Sequence, residues 1–418
     1  MSEKNNKYTP NLRFPEFSGE WEARPLSDFL YEHKTKSDGK CEVHSVSVTQ
    51  GVVNQVKYLG RSFAASDTSK YNLAKSGDVI YTKSPTGAFP FGIIKQNKNP
   101  YNVIVSPLYA VYTPVTPYLG YILDSYFESP ANTNNYLSSL VQKGAKNTIN
   151  ITNDTFVSKF VCLPTDPAEQ QKIADCLSAM DDLIAAQAEK VETLKEKKTG
   201  LMQQLFPQPG ETTPRLRFPE FTGEWEEKKL GEVCDKIVDG SHNPPESVNR
   251  SSNYMLSSQN IQDGHIEFTN VRYLSDNDYL KENKRTNVTV GDVLLTIVGT
   301  IGRSCVITGN EGNITFQRSV AILKPIKSSM NSNYLMYCLQ ISNIKLNSLA
   351  AGGAQKGIYL KQLENFFIAI PPSLAEQQKI ADCLSALDDQ IAAEIEKLTA
   401  LKDYKKGLMQ QLFPQPAK

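Results

Sequence analysis

Two stretches of the chain carry apolar side chains in alternating steps of four and three, the spacing that turns one stripe of an α-helix toward a partner helix. The first seam runs through Ile173, Leu177, Met180, Ile184, Gln187, Val191, Leu194, Lys198, Leu201 and Leu205. The second runs through Ile380, Leu384, Leu387, Ile391, Glu394, Leu398, Leu401, Lys405, Leu408 and Leu412, and eight of the ten positions are apolar in each. Asp166-Pro-Ala-Glu169 and Ser373-Leu-Ala-Glu376 each offer an N-cap residue with Glu at the third helical position, and Pro207 and Pro414 stop the helices. About 38 residues at about 1.5 Å each make rods of roughly 57 Å, too long to lie inside one small domain, so the two rods are expected to pack on each other. The domain between them leaves parallel and antiparallel arrangements open; a two-fold relation between the halves of the chain requires antiparallel. Gln187 with Glu394 and Lys198 with Lys405 recur at matched seam positions, where polar groups fix register at some cost in stability.

Elsewhere the pattern changes to short apolar runs among Gly, Pro and Asn turns. Asp78–Tyr81, Val103–Val105, Val293–Val298 and Val320–Leu323 read as strands. Short helical stretches, Tyr118-Leu-Gly-Tyr-Ile-Leu and Tyr334-Leu-Met-Tyr-Cys-Leu, follow at equivalent places. One mixed α and β fold is therefore used twice, with different surfaces.

The chain is a tandem duplication. Leu12-Arg-Phe-Pro-Glu-Phe-Ser-Gly-Glu-Trp-Glu22 returns as Leu216-Arg-Phe-Pro-Glu-Phe-Thr-Gly-Glu-Trp-Glu226, and 32 of 42 positions from Ala168 to Pro209 are identical with Ala375 to Pro416. The regions between these blocks share little beyond a skeleton such as Ser76-Gly-Asp-Val-Ile80 against Val290-Gly-Asp-Val-Leu294. Uniform drift after duplication does not preserve one block while erasing its neighbour, so two near-constant frames hold two functionally divergent inserts.

Composition narrows the choice of function more by exclusion than by support. Lys plus Arg and Asp plus Glu both number 45, giving a net charge of zero, whereas compact DNA-binding domains are mostly basic. Residues 25–165 carry 13 cations against 9 anions, residues 231–372 carry 13 against 12, and the two seam blocks carry 5 against 7 each. The polar N-terminus lacks a secretory core and no apolar run is long enough to span a bilayer, so a cytoplasmic protein is expected. The seven scattered cysteines and four histidines show no metal, disulfide or nucleophile spacing. Asn243-Pro-Pro-Glu246 imitates the motif with which adenine methyltransferases hold a flipped base, but Glu246 stands where an aromatic must stack and no Gly-rich nucleotide cradle precedes it, so a turn is the better reading. A phosphate loop is also missing.

Candidate contacts lie in matched insert loops that mix cations, amides and glycine, the chemistry of phosphate contact and base-edge reading. One pair comprises Lys83, Ser84 and Thr86 against Thr300 and Arg303; another comprises Lys143, Lys146 and Asn147 against Gln355 and Lys356. Ser241, His242, Gln317 and Arg318 join them as DNA-binding candidates. For any one of these residues, a solvated loop side chain remains the alternative.

Duplicated frames, divergent inserts, and the run Glu376-Gln-Gln-Lys-Ile-Ala-Asp-Cys-Leu-Ser-Ala-Leu-Asp-Asp389 after a Pro-Pro step resemble the specificity subunit of type I restriction-modification systems. The resemblance spans nearly the whole chain. It implies an α+β fold class: two pseudo-two-fold-related mixed α/β target recognition domains separated by two long antiparallel coiled-coil helices. The implied order is a frame segment at 1–24, a first recognition domain at 25–165, a first helix at 166–207, a linker and repeated frame segment at 208–229, a second recognition domain at 230–372 and a second helix at 373–418. It also implies a subunit that is not catalytic by itself. Each recognition domain would read one half of a split site in double-stranded DNA, with the rods as a ruler between half-sites about 34 to 36 Å apart per helical turn. The helices would dock two adenine methyltransferase subunits, and ATP-dependent motor-nuclease subunits would join them. S-adenosylmethionine, ATP and Mg are expected in those partners, and neither a cofactor nor a metal in this chain. The alternative is a non-enzymatic coiled-coil scaffold whose inserts bind protein or glycan, which the zero net charge favours.

Overall fold

In a computed structural model of the protein, which describes residues 7–143, 149–351 and 356–414, the chain divides into two compact units. One comprises Met1–Gln187 with Lys397–Lys418, the other Ala188–Glu396. Both chain crossings fall inside the long helices Pro167–Leu205 and Leu374–Leu412, so each helix gives one half of its length to each unit.

The first unit is built on an antiparallel sheet in the order Leu30–Glu32, Ala110–Pro114, Val79–Tyr81, Ile94–Gln96. Alternation along the strands sends Val79, Tyr81, Ala110 and Tyr112 to one face and Ile80 and Val111 to the other. The first face is covered by the helix Pro117–Phe127, by Phe156, by Ile173, Leu177 and Leu412 from the long helices, and by Phe413 just past the second of them. The second packs on Val52, Ala74, Val103 and Val105. An outer pair, Trp21–Pro25 with Phe160–Cys162, ties the strand before the insert to the strand after it.

The second unit repeats the plan. Its sheet order is Cys234–Asp239, Val320–Pro325, Val293–Thr296, Ser304–Val306. Val293, Leu295, Ala321 and Leu323 face the helix Ser332–Ile341, Met202, Leu205, Ile380 and Leu384 of the long helices, and Phe206 just past the first of them. Leu294, Val320 and Ile322 face a second cluster with Leu256, Ile314 and Phe316. Glu226–Lys229 pairs with Phe367–Ile370 in the outer position. The second layers diverge: Asn72–Ala74 pairs antiparallel with Val103–Val105, whereas Asn253–Leu256 runs parallel to Asn313–Phe316.

The Gly-Asp-Val motif is a structural turn. Gly77 and Gly291 hold φ of +88° and +90°, which side chains with a Cβ rarely adopt. The adjacent Asp78 and Asp292 accept the backbone N–H of Lys75 at 2.6 Å and Thr289 at 2.8 Å. Asp78 also takes the Thr113 hydroxyl, and Asp292 the Lys324 ammonium, from the neighbouring strand.

All twenty seam positions are buried or half-buried. Within the second unit the helices are antiparallel: Lys190 pairs with Glu394 and Lys198 with Asp388, so partner numbers fall as the first helix advances. Within the first unit Asp181 meets Lys405. The polar seam lysines thus find carboxylates one helix away, at 2.6 Å in both units. A tyrosine of each insert closes the contact: Tyr121 donates to Asp181, and Tyr337 donates to Asp388 at 2.7 Å.

The N-termini of the long helices differ from expectation in one respect. Asp166 and Ser373 accept the N–H of Ala168 and Ala375, yet Glu169 and Glu376 point to arginines of the repeated frame segments. Arg13 holds Glu169 at 2.6 and 2.8 Å, and Arg217 holds Glu376 at 2.8 and 2.9 Å. A bidentate guanidinium–carboxylate pair makes two charge-assisted bonds where a capping box makes one. Lys172 with Glu16 and Lys379 with Glu220 repeat a second contact of the same kind.

Candidate nucleic-acid interface

Antiparallel order in the second unit puts the end of Cys234–Asp239, the start of Val320–Pro325, the end of Val293–Thr296 and the start of Ser304–Val306 at one edge of the sheet. The loops leaving that edge are stitched together by backbone bonds. Ser241 N–H donates to Phe316 O at 2.7 Å, Arg318 N–H to Ser241 O at 2.9 Å and Gln317 N–H to Leu256 O at 2.8 Å. Ile297 N–H donates to Ser319 O, and Ile358 N–H to Ile297 O, both at 2.9 Å.

This edge gathers Ser241, His242, Thr300, Arg303, Gln317, Arg318 and Lys356, which sequence reading drew from four separate stretches. Thr300, Arg318, His242 and Lys356 are exposed, Arg303 and Gln317 half-buried. Ser241 is only 6 % exposed; its contribution is the backbone bridge to Gln317. Gln355 lies outside the described residues.

Sequence reading passed over Arg285, the residue that shapes this edge. It comes from the last turn of the helix Asp276–Thr286. Its guanidinium donates to Asp239 Oδ1 at 3.2 Å, to Asp239 O at 2.7 Å and to Gly240 O. The other oxygen of Asp239 meets His242 Nε2 at 2.6 Å. No local signal announces the pairing, because 46 residues separate the partners. The 243–246 stretch beside it is an irregular loop rather than a hydrogen-bonded turn, and its Pro245 carbonyl accepts from Arg272.

In the first unit the matching edge carries the loop after Tyr81. Thr82 and Ile93 close its base at 2.9 Å, and Thr86 and Phe89 pair across its tip. Lys83, Ser84 and Thr86 are exposed. Burial pushes the Lys83 ammonium below its ordinary value, with nearby Glu32 working against that shift. Lys36, also missed, reaches the same edge: its ammonium meets Asn72 Oδ1 at 2.6 Å, and Asn72 donates to Tyr109 O beside the strand pair Ala110 and Tyr81. Lys146 and Asn147 lie outside the described residues, and for Lys143 only the backbone pairing with Ile149 is described.

Among the described residues no group of three or more His, Cys, Asp or Glu side chains could hold a metal. The cysteines are free, and burial pushes Cys305 and Cys338 up to about 12. Among the described residues no helix is long and apolar enough to cross a membrane. What the edges present is a set of cations, amides and hydroxyls on the loops leaving the strands, the inventory for phosphates and base edges.

Comparison with known proteins points the same way. Residues 222–403 match the model of the family described as type I restriction modification DNA specificity domain. The chain is 29% identical over 261 residues to a putative type I restriction enzyme MjaX specificity subunit of Methanocaldococcus jannaschii, covering 61% of this chain and 59% of that protein. It is 28% identical over 272 residues to the MjaVIII specificity subunit of the same organism, covering 62% and 63%. The chain thus spans about three fifths of the length of these curated relatives. The fold is similar to the crystal structure of a type I restriction-modification S subunit from M. genitalium, at a TM-score of 0.59 and 14% identity, covering 98% of this chain and 100% of that one. It is also similar to a chain from work on complex assembly and conformational transition of the type I R-M system, at a TM-score of 0.53 and 20% identity, covering 94% and 97%. The resemblance read from the repeats is borne out by these matches.

Proposed function

We infer, for a chain that carries a type I restriction modification DNA specificity domain over residues 222–403, that it selects the DNA target of a type I restriction-modification complex and performs no chemistry itself. Each unit reads one half of a bipartite site through the loop edge of its sheet. The paired helices dock two adenine methyltransferase subunits. ATP-dependent motor-nuclease subunits complete the complex, and S-adenosylmethionine, ATP and Mg bind in those partners.

One observation carries this reading: two sheets of the same order and register present different side chains at the same edge. Asp78 and Asp292 align through the Gly-Asp-Val motif, and Tyr112↔Val79 and Leu323↔Val293 are equivalent pairs. Counting along the edge strands from these pairs sets Lys34-Thr-Lys-Ser37 of the first unit opposite Asp239-Gly-Ser-His242 of the second. A duplicated binding scaffold with one ligand has no reason to exchange a cationic turn for an acid-histidine turn. A reader of two unlike half-sites does.

The neutral net charge fits a subunit whose partners supply much of the phosphate neutralisation. Mapping methylated adenine in cells that express the chain with its methyltransferase partners tests the proposal. One interrupted motif is expected; methylation without sequence preference, or with an uninterrupted motif, overturns it.

A further inference from the structure

The second unit holds one side chain in a way that a solvated loop does not require. His242 is exposed, its side chain 58% accessible, yet it is not free to turn. Its Nε2 lies 2.6 Å from Asp239 Oδ2, and a carboxylate oxygen can only accept, so Nε2 carries the proton. Asp239 is itself immobilised. Its side chain is 13% accessible, and the guanidinium of Arg285 grips its other carboxylate oxygen and its carbonyl. Gly240 fits this turn because a Cβ there would meet Phe316 O at 2.0 Å. The chain Arg285 to Asp239 to His242 fixes both the ring orientation and the tautomer. Nδ1 is left as the ring nitrogen available at the edge where Arg318 and Thr300 are exposed.

We propose that His242 is a specificity-determining residue for the half-site read by the second unit. Its Nδ1 lone pair accepts a hydrogen bond from an exocyclic base amine in the major groove, with Asp239 and Arg285 as positioning residues. This inference rests on the proposed DNA-reading function. In the neutral ring Nδ1 is an acceptor only. In the major groove its complement is adenine N6 or cytosine N4, and guanine and thymine present acceptors at the corresponding positions. A histidine held by a carboxylate discriminates between those two sets without a bidentate side chain. The first unit has no counterpart: Ser37 stands at the equivalent position, so the effect is confined to one half of the motif.

The test uses the chain assembled with its methyltransferase partners and measures methylation rates on duplexes in which each base pair of the motif is changed in turn. His242→Leu keeps the bulk and removes the acceptor. It should lower discrimination at one base pair of the second half-site about fivefold to tenfold, the worth of one hydrogen bond. Discrimination in the first half should not change. His242→Gln, whose amide oxygen still accepts, should retain most of the preference. Asp239→Asn should weaken preference at the same base pair and leave discrimination in the first half-site as it is. A loss of fold would depress every duplex alike and thus separates from the expected pattern. If His242→Leu leaves discrimination unchanged, His242 does not read the base, although an intact wild-type motif would leave the wider function standing. Absence of any motif in the wild-type complex would instead sink the DNA-reading function itself.

Discussion

Replacing Lys405 with Met tests the lock between the helices of the first unit. Lys405 is 8% exposed, and its ammonium lies 2.6 Å from Asp181 and 2.8 Å from Glu128. Methionine keeps the volume and removes the charge. Removing one partner of a fully buried pair costs about 3–5 kcal/mol. Here the Asp181 and Glu128 side chains retain 32% and 48% of their accessibility, so water relieves part of the penalty and about 2 kcal/mol is expected. The sequence contains two tryptophans, Trp21 in the first unit and Trp225 in the second. Urea unfolding followed by fluorescence in a Trp225→Phe background therefore reports the first unit alone. Its midpoint should fall, while the transition seen in a Trp21→Phe background holds. A double cycle with Asp181→Asn should give a coupling energy of about 1 kcal/mol or more.

The pH dependence of that lock has a definite sign. Burial opposes the charge on Asp181, but hydrogen bonds from Lys405 and Tyr121 outweigh it and hold the carboxyl below its usual range. Burial likewise opposes the Lys405 ammonium, and its bonds to Asp181 and Glu128 hold it above its usual value. The acid's contribution is complete above its unfolded value of about 3.9 and fades as pH falls through the depressed folded value. The lysine's is complete below about 10.4 and fades as pH rises through the elevated one. The stability difference between wild type and Lys405→Met should be flat from about pH 5 to about pH 9. Additive double mutants, or an unchanged first-unit midpoint, would refute the lock.

Three further outcomes follow from the packing. Leu194→Lys, at a seam position 9% exposed, should destabilise the second unit by about 2 kcal/mol or more, against less than about 0.5 kcal/mol for Glu192→Lys on the exposed face; equal effects in urea unfolding would refute the seam. Glu169→Gln removes the charge shared by Arg13 and by Trp21 Nε1 at 3.2 Å and should cost about 1.5–3 kcal/mol in the Trp21-reported transition; no shift would mean that the frame segment is not anchored there. Gly240→Ala places a Cβ 2.0 Å from a backbone carbonyl and should abolish discrimination in the second half-site, measured by duplex methylation, while the first half survives.

Much of the architecture is legible in the sequence because it is repetitive. The four-three spacing from Ile173 to Leu205 needs only local periodicity, and the matched Gly-Asp-Val turns need only a backbone that demands glycine. What pairs with what is less legible. Lys198 and Lys405 stand out as polar seam residues, but their partners Asp388 and Asp181 are off the seam and identifiable only once the helices are known to be antiparallel. Seam reading alone treats the rods as separate from the inserts. In fact Leu177 and Leu412 share a core with Tyr112, and Leu205 and Leu384 share one with Tyr334, contacts set by tertiary packing. At the sheet edges, sequence finds loops rich in cations and amides but not Arg285, whose place depends on a fold that returns it to Asp239. Zero net charge hides the local placement of cations at each sheet edge.

The most direct test of the central claim is to exchange residues 25–165 for the corresponding insert of a relative with a different target, and to map methylated adenine across the genome. One half of the bipartite motif should change to the donor's while the other half stays the same. A change in both halves, or in neither, would contradict it.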